Sequence, residues 1–301
     1  MKCPKPKQVF WKDDLTQYED WITEIKYDGE RNLLIIKDGK VKIQRHEGRD
    51  KTLFFPEIVD YVKSTDLIKR NVTLDGEICV LVNTMKADFP SIANRQTDNP
   101  EKQKTLLKTK PCTFVAFDIV EFDGYDVTDD IFAQRRDLLE AQDLSTIEDF
   151  KKNNVVIVEQ SHTWSNAISS DDERQMNKGW MEKIIKQHDL EGIVMKNPSK
   201  ICQAIKLKNY DEEEFEIRGT NVTPTGIKNG NWISALELKN RDGRYVGDCT
   251  YNNYPNTLEY RNTVIGKKVL VRYMKTDSYR QGIGKLRFPV MLKIQENWSD
   301  A

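Results

Sequence analysis

The sequence predicts an α+β chain of two domains: a larger one of short strands with flanking helices, then a smaller all-β barrel. Three observations carry this expectation. At 301 residues the chain is about twice the size of a common single domain. Gly and Asp cut its first third into short apolar runs of strand length. A sharp acidic run, with five acids among residues 211–216, precedes a tract of short runs separated by Asn-Gly and Asp-Gly turns. We therefore expect domains at 1–210 and 211–301, with 209–216, a solvated linker or an exposed edge, marking the boundary.

The elements follow in order. Residues 21–25, 31–37 and 41–46 read as strands, with Lys37-Asp38-Gly39-Lys40 as the hairpin turn between the last two. Pro56 opens PEIVDYVKS, in which Ile58, Val59 and Val62 share a helical face. Strands are expected at 72–82 and 113–122. The tract 94–110, polar and carrying four lysines and one proline, reads as a mobile loop. A helix is expected over 169–188, with Ser170 and Glu173 placed as a capping box. GIVMK (192–196) and AIKLK (204–208) then read as strands.

Charged residues make up 32% of the chain, against about 25% in an average domain. Lysine plus arginine (47) nearly balance aspartate plus glutamate (48), so any nucleic-acid footprint must be local rather than global. The longest apolar run, Ile78 to Val82, is too short to cross a membrane, and the first residues show no apolar leader. The five cysteines are scattered without a Cys-x-x-Cys pair, which supports neither a structural zinc nor a disulfide framework. We expect a reduced, cytoplasmic protein (host cytoplasm, if viral).

Chemistry concentrates in one ordered series. Lys26-Tyr27-Asp28-Gly29-Glu30-Arg31 puts a lysine at a strand end before a tight turn, leaving its amine open to a cleft. Downstream come LDGEI with Glu77, FVAFDIVEF with Phe117 and Asp118, EGIVMK with Glu191 and Lys196, and AIKLK with Lys206 and Lys208 on one strand face. Single charges at strand ends are common, but five such fragments in this order are not. Together they resemble the nucleotidyltransferase motifs of ATP-dependent DNA ligases, from Glu24 to about Pro289. QRHEGRDKTLFFPEI (44–58) resembles the stretch of that family in which an arginine precedes a Phe-Pro-Glu helix start.

The resemblance implies a nucleotidyltransferase domain, ATP-grasp-like with antiparallel sheets and flanking helices, followed by an OB-fold barrel. It implies Lys26 as the nucleophile that holds AMP, and Glu24, Ile25, Arg31, Glu77, Phe117, Ile193, Lys206 and Lys208 around the nucleotide. Glu77 and Glu191 are implied as oxygen ligands for Mg²⁺, with Mn²⁺ able to substitute. Phe117 offers the adenine a flat face, with Ile193 or Val194 closing the other side. The lysine must attack as a neutral amine, and nearby cations, Lys206, Lys208 and a metal, lower its pKa. Arg45 matches the residue that grips a DNA 5′-phosphate. His46, His162 and His188 show no metal spacing and read as surface residues.

In the barrel, nine basic residues and one acid between Arg261 and Lys293 make a local footprint for phosphates, with Tyr273, Tyr279 and Phe288 interleaved. Lys267, Lys268, Arg272 and Arg287 are its expected DNA contacts. The last ligase motif commonly ends in Arg-x-Asp-Lys; aligned from Pro289, Gln295, Asn297 and Trp298 stand there instead, leaving Lys293 or Arg287 as substitutes. The expectation is a monomeric ATP-dependent ligase acting on nicked duplex DNA, with sliding-clamp dependence undetermined. The alternatives are an RNA ligase or mRNA-capping guanylyltransferase of the same superfamily, or a catalytically silent nucleic-acid-binding protein.

Overall fold

The computed structural model describes residues 6–11, 13–18, 21–161, 182–274, 282 and 284–297. The chain divides into two compact units, Met1–Asn209 and Tyr210–Ala301.

The first unit opens with β1 (Lys7–Val9), β2 (Ile22–Ile25), β3 (Glu30–Lys37) and β4 (Lys40–Gln44). The last two form the expected hairpin, whose turn residues Asp38 and Gly39 both have positive φ (50° and 69°), as a two-residue turn of this twist requires. Helix α1 (Pro56–Ser64) begins at its proline and buries Ile58, Val59 and Val62. Next come β5 (Val72–Cys79), α2 (Phe89–Arg95), α3 (Pro100–Thr109), β6 (Thr113–Phe122), β7 (Tyr125–Asp126) and α4 (Phe132–Glu140). The unit continues through β8 (Ser145–Thr146), β9 (Val155–Ile157), β10 (Gln160–Ser161), β11 (Gly192–Lys196) and β12 (Ala204–Lys208). Residues 182–187 are helical; the start of the helix expected there, with its capping box, lies outside the described residues.

Two sheets result. One has the order β1-β12-β11-β2-β10; the other runs β4-β3-β5-β6-β9-β8, with β7 on β6. Both are mixed rather than purely antiparallel, because β1–β12, β6–β9 and β8–β9 pair in parallel. The main core lies on the larger sheet, where Leu34, Leu74, Ile58 and Phe114 are fully buried. Each such side chain contributes roughly 1.5–3 kcal/mol.

The tract 94–110 is not a loop: it holds the end of α2 and all of α3. The Asp88 side chain accepts from the Ser91 N–H, and Asn99 accepts from Lys102 N–H at 3.0 Å with Pro100 at the first helical position. These caps start both helices, although α3 buries no side chain.

In the second unit β13 (Asp211–Asn221), β14 (Ala235–Lys239), β15 (Tyr245–Thr250), β16 (Lys268–Met274) and β17 (Arg287–Gln295) close into a barrel in the order β13-β14-β15-β17-β16. Two short helices, α5 (Pro224–Lys228) and α6 (Leu258–Val264), accompany it. The acidic run is therefore no linker. It is the first half of β13, paired antiparallel to β16 so that Glu212 lies opposite Arg272 and Glu216 opposite Lys268. Cross-strand charge pairing explains why so acidic a segment forms a strand. Tyr273, read as part of a basic surface, is fully buried and packs edge-on against Phe215 at 5.7 Å. Lys275, Asp277, Tyr279 and Arg280 lie outside the described residues. Among the cysteines, Cys79, Cys112 and Cys249 are buried and free, whereas Cys202 is disulfide-bonded, against the expectation of unpaired thiols.

Candidate active site

Between the two sheets of the first unit lies a cavity of about 270 Å³, walled by β2, β11 and β12 on one side and by β3, β5 and β6 on the other. Lys26 enters it from the end of β2, its backbone N–H donating to Gly192 O at 3.0 Å. The turn that follows must approach β5 closely. A Cβ on Gly29 would stand 2.3 Å from Ile78 O and 2.9 Å from Glu77 Cγ, so glycine is required there.

Lys26 Nζ donates to Glu191 Oε2 at 2.6 Å, while Lys208 Nζ holds the other carboxylate oxygen at 2.7 Å. Burial opposes charge on Glu191, but these two ammonium groups outweigh it and hold its carboxyl below the ordinary value. Burial likewise opposes charge on Lys26, and the carboxylates of Glu191, Glu77 and Asp28 overcome it, raising its pKa. Among the protein's own groups, carboxylates rather than cations dominate the surroundings of Lys26. Glu77 shows the opposite balance: confinement, with Glu191 and Asp28 nearby, pushes its carboxyl up to about 8 despite Lys26 and Arg31.

Arg31 forms a two-pronged ion pair with buried Asp75, Nε–Oδ1 3.0 Å and Nη2–Oδ2 2.7 Å. The register explains this: Arg31 faces Glu77 across β3 and β5, and Asp75 lies two residues along the same face. The Arg31 guanidinium also stands 5.4 Å from the Phe117 ring centre. Phe117 and Ile25 line the cavity. Glu24, 4% exposed, accepts from Lys196 Nζ at 2.7 Å and from Gln160 Nε2 at 2.8 Å. Lys196 in turn donates to Phe117 O at 2.9 Å.

Lys206 lines the cavity, and Lys208, two residues along, serves Glu191. Ile193 does not reach the cavity. It packs into a core with Leu15, Trp21 and Leu207, and its neighbour Val194 lines the cavity instead, because successive strand residues face opposite ways. Asp118 holds Arg135 of α4 through two 2.8 Å contacts, a bracing role. His46, read as a plain surface residue, contacts Asp75 Oδ1 at 3.1 Å. Asp75, Gln160 and Arg135 were missed as well. Their partners lie 44, 136 and 17 residues away in sequence; strand pairing brings the first two together, and the packing of α4 on β6 the third.

The donor set suits a hard divalent cation. Glu77 and Glu191 are two carboxylates beside one lysine, and Mg²⁺ is commonly held by one or two carboxylates together with substrate phosphates. The upward push on Glu77 comes first from its burial, and the charges of Glu191 and Asp28 add to it. Among the described residues no cluster of three or more His, Cys, Asp or Glu side chains forms a self-sufficient metal cage.

On the barrel, Lys267 pairs with Glu296 at 2.7 Å, Lys268 with Glu216 at 2.6 Å and Arg272 with Glu212 at 2.6 Å. Arg287 stacks 4.7 Å from the ring centre of Phe288, which is 54% exposed. Gln295 donates to Glu214 at 2.6 Å; Trp298 lies outside the described residues.

The chain is 30% identical to the bifunctional non-homologous end joining protein LigD of Bacillus subtilis over 233 residues, 70% of this chain and 36% of that protein. It is 23% identical to DNA ligase C1 of Mycolicibacterium smegmatis over 237 residues, 75% of this chain and 62% of that one. It therefore spans less than two thirds of the length of either curated relative. A solved structure from a study of Lig E DNA ligases superposes with a TM-score of 0.63 at 16% identity, covering 97% of this chain and 100% of that one, which establishes the shared fold. The family model for the ATP dependent DNA ligase domain matches residues 7–208, the unit that holds Lys26 and its carboxylates. Sequence order, fold and family model agree, and the chain belongs to the ATP-dependent DNA ligase family.

Proposed function

We propose that the chain is an ATP-dependent polynucleotide ligase that seals 3′-OH/5′-phosphate nicks in duplex DNA, acting as a cytoplasmic monomer. The observation that carries this reading is Lys26, bound to the Glu191 carboxylate that Lys208 also holds, in the wall of a cavity lined as well by Glu24, Arg31, Phe117 and Lys206. Lys26 Nζ attacks the α-phosphorus of ATP; a P–N bond forms and pyrophosphate leaves. A 5′-phosphate oxygen of the DNA then displaces the lysine, giving an adenylated end. The 3′-hydroxyl attacks that end, and AMP departs with the bonding electrons.

Before the first attack Lys26 must lose its proton, a loss that nearby positive charge favours, while ionised Glu191, at 2.6 Å, holds the amine in place. Lys206 and Lys208 bring positive charge to the phosphoryl oxygens as it develops there. Glu77 and Glu191 would hold Mg²⁺ (or Mn²⁺), which would supply further neutralisation of phosphate charge. Glu24, fixed by Lys196 and Gln160, presents an acceptor to the adenine edge, with Ile25 beside it and Val194 and Phe117 as apolar walls. Arg45 is assigned to the DNA 5′-phosphate, and Lys267, Lys268, Arg272 and Arg287 to the backbone.

A silent nucleic-acid binder is the second reading, favoured by Gln295 standing where the family carries a cation. Nicked DNA, DNA–RNA hybrid and RNA substrates, each offered with ATP or GTP, separate the readings. Sealing of nicked DNA with ATP supports the proposal. Sealing confined to RNA, or labelling by GTP alone, redirects it within the superfamily, and no reaction with either nucleotide favours the binder.

A further inference from the structure

A second cavity of about 520 Å³ shares Arg31 with the nucleotide cavity and is lined also by Glu30, Arg45, His46 and Gln96. Its charged centre is Glu30, whose side chain is 10% exposed. Glu30 Oε1 accepts from Arg45 Nε at 3.0 Å and lies 3.7 Å from the Lys51 ammonium. The other carboxylate oxygen accepts from the Gln96 amide, whose carbonyl oxygen accepts in turn from Lys51. Lys51 is 4% exposed, and an ammonium that deep is tolerable only with such partners. Two other segments thus converge on this carboxylate at the start of β3: the 45–51 loop after β4, which supplies both Arg45 and Lys51, and Gln96, just past the C-terminal end of α2.

The consequence falls on Arg45. Its side chain is 35% exposed, and Glu47 takes a second contact at 3.3 Å. A long side chain at such exposure loses considerable rotamer freedom on gripping a ligand, unless something fixes it beforehand. Glu30, itself braced by Lys51 and Gln96, supplies that fixing.

We propose that Glu30 is a positioning residue for recognition of the DNA 5′-phosphate: it pre-orients Arg45 and so sets the preference for a phosphorylated over a hydroxyl 5′-end. This rests on the ligase reading above and on Arg45 as the phosphate contact, and it assigns a role to a residue that reacts with nothing. The chemistry recognised is a terminal phosphate monoester, carrying about −1.5 to −2 charges at pH 7.

The test uses the full chain and two nicked duplexes that differ only in a 5′-phosphate or 5′-hydroxyl, with affinities read by fluorescence anisotropy. Glu30→Gln keeps the size but removes the charge. It is expected to cut the phosphate-over-hydroxyl preference on the order of tenfold, the size of one weakened charge-assisted contact. Affinity for the hydroxyl nick changes little, and apparent KM for the phosphorylated nick rises more than kcat falls. A purely structural role would instead weaken both duplexes alike. Formation of lysyl-AMP, which belongs to the other cavity, checks folding. Should Glu30→Gln fail that check, Gln96→Met, which removes only the brace, is expected to move the preference the same way by a smaller factor. Unchanged preference, or tighter binding of the phosphorylated nick, overturns the role of Glu30. A wild-type protein that forms no lysyl-AMP refutes the ligase reading itself, which is a different outcome.

Discussion

Charge balance around Lys26 follows from side chains within a few ångströms of one another. Two carboxylates share one lysine; Glu191 stays ionised because Lys26 and Lys208 hold both its oxygens, while burial lifts Glu77 to about 8. That shift has a sign. An unfolded glutamate loses its proton near pH 4.3, whereas folded Glu77 keeps it until about pH 8. The folded state therefore binds more protons between those values, and stability falls as pH rises through the window. We predict that Glu77→Gln, with chelator present, raises Tm above pH 8 by roughly 2–4 °C for each kcal/mol relieved and changes it little at pH 4. Adding Mg²⁺ at pH 8 should raise the wild-type Tm and leave that of the variant nearly unmoved. A variant less stable than wild type at high pH would show that Glu77 supports the fold rather than the nucleotide. The face that β11 offers the cavity illustrates what single residues concealed in the sequence. Ile193 and Val194 have the same character, and a shift of one position decides which lines the cavity.

At the scale of elements, the turn between β2 and β3 carries Lys26, the proposed nucleophile, and its geometry depends on Gly29. Gly29→Ala places a methyl 2.3 Å from the backbone carbonyl oxygen of Ile78 on β5, an atom that no side-chain rotation can move aside. The expected result is a displaced Lys26, lysine adenylation down by at least about a hundredfold, and a Tm loss matching 1–3 kcal/mol of overpacking. Near-wild-type adenylation would remove the requirement for that close approach. Much of this scale was legible in the sequence. The observed bounds of α1, β6, β11 and β12 match the residues read as PEIVDYVKS, TFVAFDIVEF, GIVMK and AIKLK, because proline, turns and apolar runs are local signals. What failed depended on distant partners or on caps without an apolar face. Helix α3 has an Asn-Pro start but no buried stripe, and the acids of β13 become a strand only beside β16, some 60 residues on. His46 looked idle for the same reason, since Asp75 reaches it from another strand.

For the whole molecule, the near-neutral total charge conceals local order, and the barrel is less basic than its sequence count implies. Lys267, Lys268 and Arg272 each hold a carboxylate. Binding a phosphate at those positions is an exchange of partners, so it contributes less than a free cation does. We predict that Lys267→Ala with Lys268→Ala flattens the salt dependence of nick binding by less than the roughly 1.8 expected for two free contacts, and leaves lysine adenylation near wild type. A collapse of adenylation with an unchanged salt slope would move the pair to the ATP step. The proposed ligase chemistry depends on Lys26 as the covalent carrier of AMP. The direct measurement is to incubate the full chain with α-labelled ATP and Mg²⁺, trap the protein under denaturing conditions, and map the modified peptide by mass spectrometry. The account predicts one acid-labile AMP on Lys26 and no labelled protein from Lys26→Ala. AMP on another lysine, or undiminished labelling of Lys26→Ala, would contradict it.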